Sequence, residues 1–512
     1  MVRLLWFVGT LVTFAAFAKE PAAEAFVTVD TSKVLGKIKP MNSVNNGPVV
    51  APVLGDQKIG NFAEYRAAAI PMARLHDSIG CVSGGAHAVD VNAVFPDFDA
   101  NENDPKNYDF VFTDHYLDTI VRTGTRVFYR LGQTIEHGPK KYGCLPPPDF
   151  AKWARVCEHI VRHYNEGWGW AQDQAHTTKN IVFSNQFNIA YWEIWNEPDL
   201  DPSDNPLMLP DAPRCWGGTV TNFFRLYETT AKHLKEKFPH LKIGGPAIAG
   251  REDWSGRFLD YCRDTSTPLD FFSWHVYARE PRTITEKCMR IRAALDARGF
   301  QETESVLDEW NYVKGWCDDW VYSLEVESGK FNQKAAAFIA ATMIDCQKAP
   351  VDHLMFYDAR ARCAMNSLFS VLSMRPMKGY YPYKAWKRIS ECGQEVSTVV
   401  EENRRELSAA QKAATGVQFA DDDKDVSRQF RAVAAKDGRG KLAVFVARYS
   451  DDNNESDLAS VTVRTIGCDL TKARCHMTDD IFVYTEIDLE RLAFDMVKLH
   501  LMPNSFAVIE VE

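Results

Sequence analysis

The sequence predicts an α/β fold in which a closed barrel of eight β/α units precedes a C-terminal all-β, sandwich-like domain. Between residues 37 and 391, apolar strand-like runs alternate with amphipathic helical stretches eight times, as parallel β/α units do. Beyond residue 393 only short strand-like runs between polar turns remain, which is typical of an all-β module. The length of 512 residues accommodates both parts. The count of eight units matches the TIM barrel, or (β/α)8 barrel.

The predicted strands are apolar, β-branched runs that stop at polar residues or proline. Barrel strands are predicted at residues 37–50, 71–77, 125–131, 189–198, 241–245, 269–278, 304–311 and 351–358. Helices with apolar residues at helical spacing or end signals are predicted at 61–69, 108–122, 147–164, 220–238, 254–263, 286–298, 332–348 and 383–391. The barrel is assigned to residues 26–392. The β domain is assigned to 393–512, with strands at 430–434, 442–448, 459–465, 481–485 and 505–511.

The first 18 residues are predicted to be a secretory signal peptide. Arg3 precedes an apolar run from 4 to 17, and Ala16-Phe17-Ala18 is an A-x-A cleavage site. A membrane anchor is the second interpretation, but the run is short for a bilayer span. We therefore expect a secreted or periplasmic protein that is not attached to a membrane after cleavage.

Composition argues against several classes of protein. The formal net charge of −10 is unfavourable for a nucleic-acid partner, which requires a basic surface. The 12 cysteines form no C-x-x-C pair, and no H-x-H cluster is present, so we expect neither a metal site nor a cofactor. Cys468 and Cys475 are the most plausible disulfide pair, because they bracket a short loop.

Two glutamates stand at the ends of predicted barrel strands. Glu197 ends strand four in Trp195-Asn196-Glu197-Pro198, and Glu309 ends strand seven. Both face the carboxyl-terminal mouth, which is the active face of such barrels. Facing carboxyl groups are what glycosidic cleavage requires. A separation of about 5–5.5 Å implies retention of configuration, and about 6.5–9.5 Å implies inversion.

The neighbouring acidic residues are interpreted as structural. Glu193 lies an even number of positions from Glu197, so strand alternation gives it the same facing, deeper in the barrel. Asp308 is adjacent to Glu309, and alternation predicts that it faces the other way.

Three motifs carry a resemblance. Trp-Glu-Ile-Trp-Asn-Glu-Pro-Asp, Ser-Trp-His-Val-Tyr and Leu-Asp-Glu-Trp-Asn, in this order and spacing, resemble the retaining glycoside hydrolases of clan A. The closest resemblance is to family 39, which includes β-xylosidases and α-L-iduronidases, and it spans roughly residues 40 to 390. It implies that Glu197 is the acid/base and Glu309 the nucleophile. It also implies substrate-site roles for Asn196, which would bind the sugar 2-hydroxyl, and for His275, Tyr277, Arg74 and His76.

Other assignments near the mouth are open. His275 is also compatible with a core histidine, and Arg74 with a structural salt bridge. Trp310, with Trp316 and Trp320, is a candidate sugar platform or ordinary packing. At the end of strand eight, where the clan commonly has an aromatic residue, often Trp, this chain has Tyr357. Arg360 and Arg362 could bind a uronate or pair with Asp358.

The expected function is therefore a secreted retaining exo-glycosidase that acts on an oligo- or polysaccharide, β-xylosidase-like or related. An endo-acting clan A enzyme, a non-catalytic glycan-binding barrel and a barrel enzyme of different chemistry are the alternatives. Oligomeric state and sugar identity are left open.

Overall fold

The computed structural model describes residues 23–48, 50–52, 58–76, 87–136, 143–170, 187–201, 213–314, 332–361, 368–370, 373–404 and 429–511. The predicted signal peptide lies outside these residues, as do Trp316, Trp320 and Arg362. The described part of the chain begins with β1 (Ala23–Lys37), and a small hairpin is formed by β3 (Val50–Pro52) and β4 (Lys58–Gly60).

A closed barrel of eight parallel strands forms the centre of the molecule. Its strands are β2 (Ser43–Asn45), β5 (Met72–Arg74), β6 (Arg126–Leu131), β7 (Tyr191–Ile194), β8 (Lys242–Ile248), β9 (Phe271–Ala278), β10 (Glu304–Tyr312) and β11 (His353–Phe356). Each falls within or overlaps a predicted strand, and the predicted barrel is confirmed.

Helices connect the barrel strands, and their ends follow the expected local signals. They are α1 (Phe62–Ala68), α2 (Val91–Val94), α3 (Val111–Val121), α4 (Phe150–Glu166), α5 (Val220–Lys237), α6 (Glu252–Asp264), α7 (Pro281–Asp296), α8 (Gln333–Lys348) and α9 (Tyr381–Cys392). In α4 the Asp149 carboxylate accepts the Lys152 amide at 3.0 Å, which satisfies an otherwise unpaired N–H group. The same helix ends at Gly167, whose φ of 77° suits a residue without a Cβ.

The barrel interior is filled in layers. Its lower end is closed by a separate apolar cluster of side chains from six strands, namely Met72, Phe128, Tyr191, Phe271, Val306 and Met355. Above this layer the interior side chains are charged: Arg74, Glu193 and Asp308 are all fully buried. A buried charge is tolerated only where opposite charges and hydrogen bonds compensate it. The side chains of this layer must therefore lie where they compensate one another.

The β domain is one ten-stranded curled sheet, in agreement with the predicted all-β module. Besides β1 it contains β12 (Gln394–Arg404), β13 (Phe430–Lys436), β14 (Leu442–Arg448), β15 (Ala459–Ile466), β16 (Arg474–Thr478), β17 (Thr485–Ile487), β18 (Glu490–Ala493), β19 (Met496–Leu501) and β20 (Ser505–Val511). The strand predicted at 481–485 is wrong for 481–484, which instead connect β16 to β17.

The N-terminal boundary predicted for the barrel, at residue 26, is also wrong. β1 lies in the ten-stranded sheet, between antiparallel β12 and parallel β15. Its Ala25, Val27 and Val29 side chains are buried in the core of that sheet. The β domain is therefore built from both ends of the described chain, and the barrel is inserted between β1 and β12.

The barrel and the sheet share one hydrophobic core. The outer face of β13, β14 and β20 contributes Val433, Phe445 and Phe506 to the cluster that also contains the barrel helices. Phe445 contacts Trp386 of α9, with ring centroids 6.4 Å apart. The β domain thus packs directly on the helices of the last barrel units.

The predicted disulfide between Cys468 and Cys475 is wrong, because both cysteines are free. Cys475 lies on β16 and faces the core of the sheet, whereas Cys468 lies in the connection after β15. In the described part of the chain, no helix has the length and apolar character needed to cross a membrane.

The shared core predicts that Phe445→Ala lowers the free energy of unfolding by about 3–5 kcal/mol, since the truncation leaves a cavity beside Trp386. Phe26 lies on the same sheet but is 47% exposed. Phe26→Ala should therefore change stability by less than about 0.5 kcal/mol. Denaturant unfolding followed by tryptophan fluorescence measures both. Equal effects of the two substitutions would contradict a packed interface.

Candidate active site

The turn after β7 delivers Glu197 to the barrel mouth. Trp195 and Glu197 have φ angles of 77° and 49°, values that residues with a Cβ rarely adopt. The turn is held by backbone bonds from the Trp195 amide to the Leu131 carbonyl at 2.7 Å and from the Glu197 amide to the Ala247 carbonyl at 2.9 Å. Neighbouring barrel strands therefore fix the backbone conformation that aims this carboxyl group.

Glu309, on β10, is surrounded by donors. Arg74 Nη1 donates to Oε1 at 2.9 Å, and His76 Nε2 lies 3.2 Å from the same oxygen. The Tyr277 hydroxyl donates to Oε2 at 2.8 Å. These contacts stabilise an ionised carboxylate.

Glu197 has a different environment. Its Oε1 lies 2.9 Å from His275 Nδ1, and its Oε2 accepts a long contact from the Cys215 thiol at 3.9 Å. Neither Arg74 nor another guanidinium contacts it among the described residues. An oxygen of Glu197 and an oxygen of Glu309 lie within 4.8 Å of each other, and His275 Nδ1 lies 2.9 Å from Glu197 and 3.5 Å from Glu309. The two carboxyl groups therefore face one reacting position.

The two glutamates have pKa values shifted in opposite directions. Burial is the main cause that raises the pKa of Glu197, and the charge of Glu309 adds to it. For Glu309 burial acts in the same direction, but the charges of His275, His76 and Arg74 outweigh it and hold its pKa below the ordinary value. The geometry thus favours one protonated and one ionised carboxyl group, which is the arrangement of an acid and a nucleophile.

Arg74 connects these residues from below. Its Nε donates to Glu193 Oε2 at 2.6 Å and lies 3.0 Å from Asp308 Oδ2. Its Nη2 donates to Asn196 Oδ1 at 2.7 Å. This bond fixes the orientation of the Asn196 amide. Its buried Nδ2 has no hydrogen-bond partner among the residues that the structure describes, and it is available to a substrate hydroxyl.

The structure brings together all but one of the predicted site residues: Glu197, Glu309, Asn196, His275, Tyr277, Arg74 and His76. Trp310 is the exception, and its predicted contact with substrate is wrong. It is fully buried between Phe338 of α8 and Phe356 of β11. Strand alternation explains this, because the residue after an inward-facing Glu309 faces the helix layer.

The orientation predicted for Asp308 is also wrong, whereas Glu193 faces the interior as predicted. In the pairing of β10 with β9, Leu307 lies opposite Trp274 and Glu309 lies opposite the next residue, His275. Asp308 is thus the extra residue of a β-bulge, which turns its side chain into the barrel beside Glu309. A bulge leaves no signal in a single sequence.

Other residues of the site were missed or left open by sequence reasoning. Tyr357, half-buried, has its ring 5.4 Å from that of His76 and 6.5 Å from that of Tyr277, so the aromatic ring that directly follows β11 does reach the mouth. Arg360 forms its ion pair with Asp358 at 3.4 Å. Asn45 accepts from Arg74 Nη1 at 3.1 Å. Neither Asn45 nor Cys215 belongs to a sequence motif that would have predicted its place in the site.

One group of three possible metal ligands occurs among the described residues, and it consists of Glu197, His275 and Glu309. These atoms could surround an ion. Each of them, however, already has the hydrogen-bond or ion-pair partner described above, so the cluster is complete as a pair of carboxyl groups bridged by an imidazole.

Comparison with known proteins places this site in a family. The model of glycosyl hydrolases family 39 matches residues 72–361, more than half of the 512 residues. The chain therefore belongs to glycosyl hydrolase family 39. Membership places it among enzymes that cleave glycosidic bonds, and the resemblance seen in the motifs is confirmed.

Two curated relatives carry the same name. The chain is 24% identical over 282 residues to a beta-xylosidase of Caldicellulosiruptor saccharolyticus, covering 52% of either chain. It is 30% identical over 179 residues to a beta-xylosidase of Geobacillus stearothermophilus, covering 33% of this chain and 31% of that one. The chain thus matches about half, or less, of the length of these relatives.

Solved structures share the whole architecture. A glucosidase from Croceicoccus marinus aligns with a TM-score of 0.67 at 20% identity, covering 95% of this chain and 98% of that one. A family 51 arabinofuranosidase from Xanthomonas axonopodis pv. citri aligns with a TM-score of 0.60 at 12% identity, covering 96% and 100%. At these identities the similarity shows a common fold.

The buried charge layer predicts an unusual pH dependence. Burial, with the charge of Asp308 adding to it, raises the pKa of Glu193 to about 8, although Arg74 opposes the shift. The folded protein therefore holds a proton that the unfolded chain releases above its ordinary pKa of 4.5. Stability should fall as pH rises through this interval. One proton corresponds to a slope of about 1.4 kcal/mol per pH unit.

Glu193→Gln removes the group that binds this proton in the folded protein. We expect unfolding free energy to decline less steeply between pH 5 and 8 in the variant, by about the slope of one proton. Denaturant titrations at several pH values measure it, with the exposed Glu236→Gln as control. An unchanged slope would show that Glu193 is ionised in the folded protein.

Proposed function

We propose that this protein is a retaining glycoside hydrolase that releases terminal sugars from a glycan by double displacement. Glu309 is the nucleophile and Glu197 the acid/base. The observation that carries the proposal is the approach of the two carboxyl groups, whose oxygens lie within 4.8 Å of each other. An approach this close favours the separation of about 5–5.5 Å found in retaining enzymes over the about 6.5–9.5 Å at which inverting enzymes admit a water.

The hydrogen bonds support the two roles. Arg74 and Tyr277 each donate to Glu309. Both hydrogen bonds favour the ionised form of Glu309, which is the form that attacks the anomeric carbon. Glu197 has no guanidinium contact in the described part of the chain, and its pKa, raised mainly by burial, favours the proton that a departing sugar oxygen must receive.

The reaction then follows in two balanced steps. Glu309 forms a bond to the anomeric carbon while the bond from that carbon to the leaving oxygen breaks, and the Glu197 proton passes to that oxygen. In the second step Glu197 removes a proton from water, whose oxygen bonds to the anomeric carbon as the Glu309 ester bond breaks. Asn196, oriented by Arg74, supplies its free amide N–H to a sugar hydroxyl.

We propose a β-xyloside as the first substrate to test, with exo action, because both curated relatives are called beta-xylosidases. Arg360, which follows β11, forms an ion pair with Asp358. It therefore gives no support to a uronate as substrate. We further propose that the enzyme works outside the cytoplasm, on the basis of the sequence signal in residues 1–18.

Hydrolysis of nitrophenyl glycosides tests the proposal. The panel contains β-xyloside, α-L-iduronide, β-glucoside, β-galactoside and α-L-arabinoside. We expect β-xyloside to be cleaved by the wild type and not by Glu309→Ala, which lacks the nucleophile. Glu197→Gln should lose about 10²- to 10⁴-fold in rate, the range of general acid–base catalysis.

Glu304→Gln is the matched control. Glu304 lies on β10 like Glu309 but at the other end of the barrel, where it contacts Lys242 and Tyr191. Its substitution should leave the rate unchanged. If Glu309→Ala were as active as the wild type, Glu309 could not be the nucleophile. Release of no sugar by the wild type would contradict exo action on these glycosides.

A further inference from the structure

Asp308 is a buried acidic group beside the two glutamates that the proposed reaction does not use. The β-bulge in β10 turns it into the barrel, where it is fully buried. Its Oδ2 lies 3.0 Å from Arg74 Nε and its Oδ1 lies 3.5 Å from His275 Nε2. Asp308 therefore lies between Arg74 and His275, which both contact Glu309.

His275 in turn stands between the two reacting carboxyl groups. Its Nδ1 is 2.9 Å from Glu197 Oε1 and 3.5 Å from Glu309 Oε2, while its Nε2 points towards Asp308. A neutral imidazole has one nitrogen without a proton. A lone pair on Nε2 would face the Asp308 carboxylate, and a lone pair on Nδ1 would face the Glu309 carboxylate at 3.5 Å. The two ionised carboxylates therefore favour a proton on both nitrogens.

Charges from other elements complete the surroundings of His275. Lys287 of α7 donates to the His275 carbonyl oxygen at 2.6 Å, and this positive charge acts against protonation of the ring. Arg74 on β5 acts in the same direction through space. The carboxylates of Asp308 and Glu309 each lie 3.5 Å from a ring nitrogen, and their charges outweigh both cations.

The charge balance of the cluster leads to the same conclusion. With Glu193 and Glu197 protonated, the negative groups are Asp308 and Glu309. Arg74 supplies one positive charge, and a charged His275 supplies the second. Without a charge on His275, the two buried carboxylates would share Arg74 and the His76 ring, which lies 3.2 Å from Glu309, and less of their charge would be compensated.

We propose that Asp308 is a positioning residue that keeps His275 positively charged, so that one imidazolium is the counterion of Glu309 before glycosyl transfer and of Glu197 after it. The inference rests on the proposed double displacement. In the free enzyme Glu309 carries the negative charge. In the covalent intermediate Glu309 is an ester and Glu197 is the carboxylate, and the same Nδ1–H contacts both without moving.

The pKa shifts agree with this geometry. Burial alone would lower the pKa of His275, but the charges of Glu309 and Asp308 raise it well above its ordinary value. The pKa of Asp308 is held at about 2, because Arg74 and His275 outweigh its burial. Asp308 therefore remains ionised over the whole range in which the enzyme could work.

Nitrogen-15 NMR of the full-length protein labelled at histidine tests the proposal without any substrate. Among the 13 histidines, the His275 signals are assigned as those lost in His275→Gln. We expect both ring nitrogens of His275 to remain protonated from pH 5 to 8 in the wild type. In Asp308→Asn, His275 should lose its proton at a pH lower by about one unit or more, since an opposite charge within hydrogen-bond reach shifts a pKa by 1–3 units.

Glu193→Gln is the matched control, because it replaces a protonated carboxyl group in the same cluster and keeps the charge balance. Its His275 titration should follow the wild type. A neutral His275 in the wild type at pH 7 would overturn the proposal even if Asp308→Asn failed to fold. An unchanged titration in a folded Asp308→Asn variant would overturn it as well. Failure of the glycosidase panel would leave these spectra unaffected, so the two proposals fail separately.

Discussion

The buried guanidinium of Arg74 is the contact on which the rest of the site depends. It sits at the centre of the barrel, fully enclosed, and contacts Glu193, Asp308 and Glu309 at 2.6–3.0 Å. Such a charge has no water to stabilise it, so the surrounding carboxyl groups must be placed and protonated to balance it. The same requirement that keeps the barrel interior electrically balanced leaves Glu309 ionised at the mouth and orients Asn196 beside it.

The second domain contributes by holding the strand ends that carry the site. Tyr312, at the end of β10, donates to Asp451 Oδ1 at 2.7 Å, and Lys334 of α8 lies 2.7 Å from the same oxygen. The Tyr449 hydroxyl donates to the carbonyl of Arg279, which follows β9. Because β9 and β10 supply His275, Tyr277 and Glu309, a packed sheet restrains the geometry on which differential protonation depends.

Local patterns in the sequence were sufficient for the barrel and for most of the site. Apolar runs ending in polar residues located all eight strands and placed Glu309 at the mouth, and alternation placed Glu193 inside. The errors arise from long-range or irregular features. β1 pairs with β12 more than 350 residues away, which no local pattern reveals. The bulge at Asp308 breaks the alternation that was used to orient it, and the same alternation, applied to Trp310, would have removed it from the site.

Retention of anomeric configuration is the central prediction of the proposed function. Proton NMR during the first minutes of hydrolysis tests it directly, because the anomer released first is visible before mutarotation. With a β-glycoside as substrate, the β-anomer of the free sugar should form first. Initial formation of the α-anomer would show a single displacement by water and would contradict the assignment of Glu309 as the nucleophile.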